Sequence, residues 1–287
     1  MSPLALLHAW LAALIVAGSG LAIVDQPERF APGIASTNHS EVRLTISPDG
    51  KTALWFSRNR PGGPGNHDIW MSRRTDGGWG AAVPVSFNSP GRDFDPAFSA
   101  DGRHVYFSSD RPGGLGGDDI YRVAVTASGF GSPEPLGPTV NSSAKEWAPM
   151  LAPDGKTLLF SSDRAGGQGK QDLYIARRNK NRFAPAEPLP GALNTAADEF
   201  DVTFLADGRT IVFSRAADLR TDRIDLFAAL PKAGRYPVGT KLDGVNGDKD
   251  SYGPMLDWSS PNMLIFSAER PGSGGMDLYR VRYRLEP

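Results

Sequence analysis

Four carboxylates stand at one fixed distance ahead of a repeated turn: Glu41, Asp93, Glu146 and Glu199 each precede a turn aspartate by eight residues, and Asp250 lies beside the fifth equivalent position, Ser251. Carboxylates at one register of a repeating unit form a ring if the units close around an axis. Such a ring repels itself, by ~1.5 kcal/mol for each neighbouring pair at ~10 Å and an effective dielectric of ~20. It would therefore attract a cation, an amine or a basic peptide. The other role open to these residues is structural, with each carboxylate accepting backbone N–H groups of an adjacent unit. Directly after three of these acids come Phe94, Trp147 and Phe200, with Tyr252 after Ser251. They suit either packing between units or a peptide-binding rim, because aromatic residues and arginine are enriched in interface hot spots.

The elements that position these residues recur. The block "FSSDRPGGLGGDDIY" from Phe107 returns in variant form from Phe56, Phe160, Phe213 and Phe266, at spacings of 51, 53, 53 and 53 residues. A constant period of this size marks a solenoid, propeller or array. Each block follows a turn signal, "SPDG", "SADG", "APDG", "LADG" or the degenerate "DWSSPN", and the first four precede an aromatic residue, a proline-rich stretch and an asparagine. Apolar residues come in short alternating runs such as "HVYF", "TLLF" and "TIVF", which are strands. Each repeat therefore reads as four antiparallel strands, and radial repetition of four-stranded units makes a propeller. The expected fold is all-β, a five-bladed β-propeller of four-stranded antiparallel blades. The fifth repeat ends after its third strand, and "ERFAPGIASTN" (28–38) resembles the fourth-strand segments, so the N-terminal strand is expected to close the last blade.

The glycine-rich stretch between second and third strands reads as a hairpin, with glycine supplying positive φ and proline presetting the turn. Four copies carry an arginine and then an aspartate: Arg60 and Asp68, Arg111 and Asp119, Arg164 and Asp172, Arg270 and Asp277. A charge-assisted clamp across the hairpin is the expectation. "GGLGGDDIY" fits a calcium-binding nonapeptide once but lacks the tandem nine-residue period, and "GGQGKQD" lacks the hydroxyl residue of a phosphate loop. The fourth repeat replaces the glycines with "RAADLRTDRID", which brings Asp218, Arg220, Asp222 and Arg223 into a charged loop. Features that break a repeat are the better functional candidates, since structural needs are met by what recurs.

Composition excludes several classes. A net charge of −1 and a pI of about 6.4 give no basic field for a phosphate backbone, so no nucleic-acid partner is expected. The chain has no cysteine, which removes disulfides, thiolate catalysis and Cys-ligated zinc. Its four histidines, His8, His39, His67 and His104, form no metalloprotease pair. His39 and His67 fall on loops of the first blade near Glu41 and Asp68, where solvated histidines are a plainer reading than a metal site. No metal, no cofactor and no catalytic residue is expected. Residues 1–24 contain no Asp, Glu, Lys or Arg, and join an apolar stretch (4–17) to the small-residue pattern Gly20-Leu21-Ala22. They read as a signal peptide or N-terminal membrane anchor. Residues 25–287 read as one propeller, monomeric, in the periplasm or outside the cell.

The stretch "EWAPMLAPDGKTLLFSSDRAGG" from Glu146 resembles the repeat of TolB-like periplasmic β-propellers, a WD-repeat-like family, and the likeness covers roughly residues 28–287. That resemblance implies a propeller in the cell envelope. The family includes TolB itself, with six blades against five repeats here, and the propeller parts of some peptidases and oligogalacturonate lyases. The leading expectation is a non-enzymatic scaffold that binds an envelope protein or peptide through Glu41, Asp93, Glu146, Trp147, Glu199, Asp250, Arg220 and Arg223. The alternative is a carbohydrate-active hydrolase or lyase that uses a carboxylate pair at the channel mouth.

Overall fold

The computed structural model describes residues 14–15, 20–180 and 182–285, and among them every regular element is a strand. Five antiparallel sheets are arranged as the blades of a propeller. The innermost strands are Ser40–Ile46, Asp93–Phe98, Glu146–Leu151, Asp198–Phe204 and Ser251–Leu256. Outside them run second strands such as Thr52–Arg58 and Thr157–Ser162, and third strands such as His67–Thr75 and Asp172–Asn179. The fourth position is short, two residues at Val83–Pro84, Glu134–Pro135, Glu187–Pro188 and Thr240–Lys241. Proline suits it, because an outermost strand needs no outward N–H donor.

In the last blade the fourth position is filled from the other end of the chain. Glu28 and Arg29 pair with Arg280 and Tyr279 of Asp277–Leu285, and Leu21–Ile23 pairs with Tyr283, Arg284 and Leu285 farther along the same strand. Leu21, Ala22 and Ile23 are buried. The pattern Gly20-Leu21-Ala22 thus overlaps a strand of the fold, while residues 1–13 and 16–19 of the expected leader lie outside the described residues.

The repeated residues build the blades. Asn88, Asn141, Asn194 and Asn246 each accept the N–H of a third-strand residue through Oδ1 and return an Nδ2 donor to the same residue's carbonyl. In the last blade Ser36, not Asn38, holds this register, its hydroxyl accepting from the Leu278 N–H at 3.1 Å. Phe107 and Tyr121, Phe160 and Tyr174, Phe213 and Phe227, and Phe266 and Tyr279 stack face to face between second and third strands. Each of these four phenylalanines is fully buried, which contributes about 1.5–3 kcal/mol apiece.

Candidate functional site

Each innermost strand is broken by a bulge just after its start, shown by a register shift in all five blades. The residue at the bulge has positive φ every time: 58° at Arg43, 53° at Asp95, 56° at Ala148, 47° at Asp201 and 65° at Gly253. Left-handed backbone is uncommon outside glycine, and a bulge re-aims the side chain of the extra residue. Here the five bulges form a ring around the axis, next to the ring of Val42, Phe94, Trp147, Phe200 and Tyr252.

Those five residues wall a cavity of about 480 Å³ on the face carrying the hairpins between second and third strands. The volume lies within the usual range for ligand sites. Its floor holds Asp95 and Asp201, both nearly inaccessible at 4% and 5% exposure. Behind them Arg43 is fully buried and crosses from blade 1 to blade 3, donating through Nη2 to the carbonyls of Ala148 at 3.1 Å and Pro149 at 3.4 Å. Its Nη1 is 3.9 Å from an Asp201 oxygen.

This environment perturbs the acids. Burial first, then the charge of Asp201, pushes the Asp95 carboxyl up to about 8, against the pull of Arg43 and Arg58. Burial raises Asp201 as well, and Arg43 and Arg58 oppose it. Asp95 therefore keeps a proton at neutral pH, and of the two acids Asp201 is the one with Arg43 as an ion-pair partner. Two acids at equivalent backbone positions thus stand in unlike surroundings. On the wall, burial and the nearby charges of Arg58 and Arg92 push the His67 imidazole down to about 4, so it is neutral, and its Nδ1 is buried without a partner.

The rim sorts its charges into spent and free. Arg92 bonds Asp110 at 3.1 Å and Asp118 at 2.5 Å, and the other Asp118 oxygen accepts the Trp147 indole N–H at 2.8 Å. Asp118 therefore fixes one wall of the cavity. Arg58 and Arg220 are exposed at the opening, and among the described residues neither guanidinium has an ion pair. Arg58 sits 5.9 Å from the centre of the Phe56 ring.

The expected ring of carboxylates is present but sealed. Glu41, Asp93, Glu146 and Glu199 are all 0% exposed. Each accepts a backbone N–H and a hydroxyl from the residue four positions earlier: Thr37, Ser89, Ser142 or Thr195. Each also faces an arginine: Arg60 at 3.8 Å, Arg111, Arg164 at 2.9 Å and Arg215 at 2.7 Å. The arginines expected to clamp the hairpin aspartates lie over aromatic rings instead: Arg60 over Trp70, and Arg111, Arg164 and Arg270 over the stacked pairs of their blades. Asp68, Asp119 and Asp172 turn to the hairpin's own amides, as when Asp119 accepts from Leu115 and Gly116. Gly114 is required there, because a Cβ would collide with the Asp119 carboxylate. Where the ring lacks an acid, at Ser251, Arg270 bonds the Val245 carbonyl.

Of the residues expected to bind a partner, Trp147, Arg220 and Asp250 line the cavity. Asp250 is not a member of the acidic ring; its carboxylate accepts the Ile224 N–H, the role Asp198 plays for Gln171. Arg223 pairs with Asp225 at 3.2 Å and does not line the cavity. Asp95, Asp201, Arg43 and Arg58 escaped the sequence reading. Their signal was there: at the bulge the five copies read Arg, Asp, Ala, Asp and Gly, changing in charge and size between an apolar register on one side and a mostly proline one on the other. Among the described residues no group of three or more acidic or histidine side chains could hold a metal.

No protein-family model matches the sequence, and no curated protein resembles it. Solved structures resemble the fold. An endo-arabinase from Bacteroides thetaiotaomicron superposes with a TM-score of 0.57 at 14% identity, covering 89% of this chain and 97% of the enzyme. The arabinanase of Bacillus subtilis gives 0.55 at 14% identity, over 85% of this chain and 95% of that one. TolB from Acinetobacter baumannii gives 0.53 at 14% identity over 85% of this chain, which spans about half, 54%, of TolB's length. At such identities the likeness is one of fold.

Proposed function

We propose that this propeller is an exported binding protein of the TolB-like kind, which receives a group of a partner protein or peptide in the cavity at the mouth of its central channel. The observation that carries the reading is the cavity itself, walled by one aromatic or apolar side chain from each blade and rimmed by free arginines. Ligand sites are concave and mostly apolar, with a few convergent polar groups, and buried aromatic and arginine anchors dominate interface energetics. The charge-free start of the chain supports export. Residues 21–23 pair with the last blade, so a leader cut no later than Gly20 keeps that strand and removes only its short partner Leu14–Ile15. Trp147→Ala should abolish capture of partners from envelope extracts while thermal unfolding stays cooperative. Undiminished capture by that variant would refute the reading.

A second reading is favoured by one observation, the pair Asp95 and Asp201 within one cavity, of which only Asp201 has an arginine as ion-pair partner. Carbohydrate-cleaving enzymes need a proton donor and an ionised carboxylate side by side, and the arabinanases share the five-bladed fold. Turnover of a polysaccharide by the purified protein, lost in both Asp95→Asn and Asp201→Asn, would establish it. Absence of turnover across plant and bacterial polysaccharides would leave the binding role.

A further inference from the structure

The arginines of this face divide into two sets. Arg60, Arg111, Arg164 and Arg215 each meet a buried carboxylate of the inner strands, and Arg92 pairs with Asp110 and Asp118 outside them. Arg58 and Arg220 meet none among the described residues, although both line the cavity. Arg58 is surplus to the repeat. It stands opposite Ser40, one step beyond the pairing of Ser57 with Glu41, and that register is occupied by Asp110, Asp163, Ala216 and Glu269 in the other blades, none of them an arginine. The cavity floor shows the same deficit, for Nε and Nη1 of the buried Arg43 have no hydrogen-bond partner.

From this geometry we infer that the cavity binds a carboxylate, held between Arg58 and Arg220 above the floor, with an apolar or aromatic body packed against Trp147, Phe200 and Tyr252. The inference rests on the reading of the cavity as a binding site. Arginine is the side chain suited to carboxylate, presenting paired donors in a planar fork. Charge selects among anions. Arg58 and Arg220 supply guanidinium groups with no ion pair among the described residues, while the carboxyl groups of Asp95, Asp201 and Asp250 on the same cavity oppose a phosphate dianion more than a monoanion. The protonated Asp95 adds a donor where an ionised one would repel the ligand.

The source of the carboxylate is either a free organic acid or the C-terminus of a chain, and the two are separable. Calorimetric titration would compare hydrocinnamate with hydrocinnamamide, and an acetylated Gly-Ser-Gly-Phe peptide as free acid with its amide. The acids should bind at least roughly tenfold tighter than the amides, the size expected for one charge-assisted hydrogen bond. Arg58→Met with Arg220→Met should erase the difference, with a thermal scan confirming the fold. Binding of the peptide acid alone identifies a chain terminus, and binding of hydrocinnamate as well identifies an organic acid as sufficient. Equal binding of acid and amide by the unaltered protein, no binding of either acid, or competition by inorganic phosphate as strong as by hydrocinnamate, overturns the inference. If capture of envelope partners still depends on Trp147 in that event, the partner-binding role survives and only the carboxylate assignment falls.

Discussion

Two concentric sets of charged side chains, two residues apart in sequence, have opposite characters. The outer set is Glu41, Asp93, Glu146 and Glu199 with their arginines: repeated blade after blade, fully buried and saturated with hydrogen bonds. The inner set, at the bulges, is Arg43, Asp95, Ala148, Asp201 and Gly253, mixed in charge and size, with unmet bonding capacity on the Arg43 guanidinium. The contrast separates what a blade needs from what one molecule does with it. A side chain that solves a packing problem common to all blades is copied into all of them. A side chain that serves one ligand is needed once, and appears where the copies disagree.

The largest expected effect breaks the outer set. Arg164 bonds Glu146 at 2.9 Å, the Val140 carbonyl at 2.6 Å and the Ser162 hydroxyl at 3.0 Å, and its guanidinium lies 4.7 Å from the Tyr174 ring centre. Arg164→Met keeps the stem but leaves Glu146 buried and unpaired, and removing one partner of such a pair costs about 3–5 kcal/mol. Discounted for the partial exposure of Arg164, roughly 2–4 kcal/mol should be lost from the free energy of urea unfolding. A loss below ~0.5 kcal/mol would mean that the outer set is not structural.

The middle-sized effect belongs to Asp95. Its carboxyl is pushed up to about 8, mainly by burial, so the folded protein holds a proton that the unfolded chain releases near its ordinary value of 3.8. The stability this provides is complete below about pH 4 and is lost as pH rises through about 8, because stability falls wherever the folded state binds more protons. Asp95→Asn removes the titration. Its stability relative to the parent should therefore climb by roughly 2 kcal/mol or more between about pH 5 and about pH 9, at up to ~1.4 kcal/mol per unit. A difference independent of pH would show that Asp95 is ionised throughout.

The fold was legible because its signals are repeated: five phenylalanines at near-constant spacing, five turns and four recurrent asparagines leave few alternatives. The function of the acidic ring was less so. Sequence placed Glu146 at the start of an innermost strand, but cannot tell a carboxylate that faces solvent from one folded back onto Ser142 and Arg164, since both occupy the same strand position. The hairpin clamp failed for a related reason. Arg111 and Asp119 are close in sequence, yet the arginine gains more by crossing the stacked Phe107 and Tyr121 rings to Asp93, a residue of another strand. Asp95 and Asp201 were hidden by the bulge. In a regular strand, alternation sets residues two apart on one face, so these acids read as a continuation of the outer ring. The extra bulge residue gives them their own direction toward the axis.

The smallest effect sharpens the comparison most, because it repeats the same chemical change in the other set. Arg58→Met also exchanges a guanidinium for a thioether on a stem of similar length, but Arg58 is exposed and makes no ion pair among the described residues. What it loses is a ring contact with Phe56 at 5.9 Å and a distant attraction to Asp95 and Asp201. Exposed substitutions away from caps and cores fall within about 0.5 kcal/mol, so the unfolding midpoint in urea should barely move. The variant should instead reveal itself in the carboxyls, since removing a positive charge that lowers Asp95 and Asp201 raises both further. Measured by the pH at which their carboxyl NMR signals titrate, an upward displacement with unchanged stability would mark Arg58 as part of the site and not of the scaffold. A destabilisation as large as that of Arg164→Met would erase the distinction between the two sets.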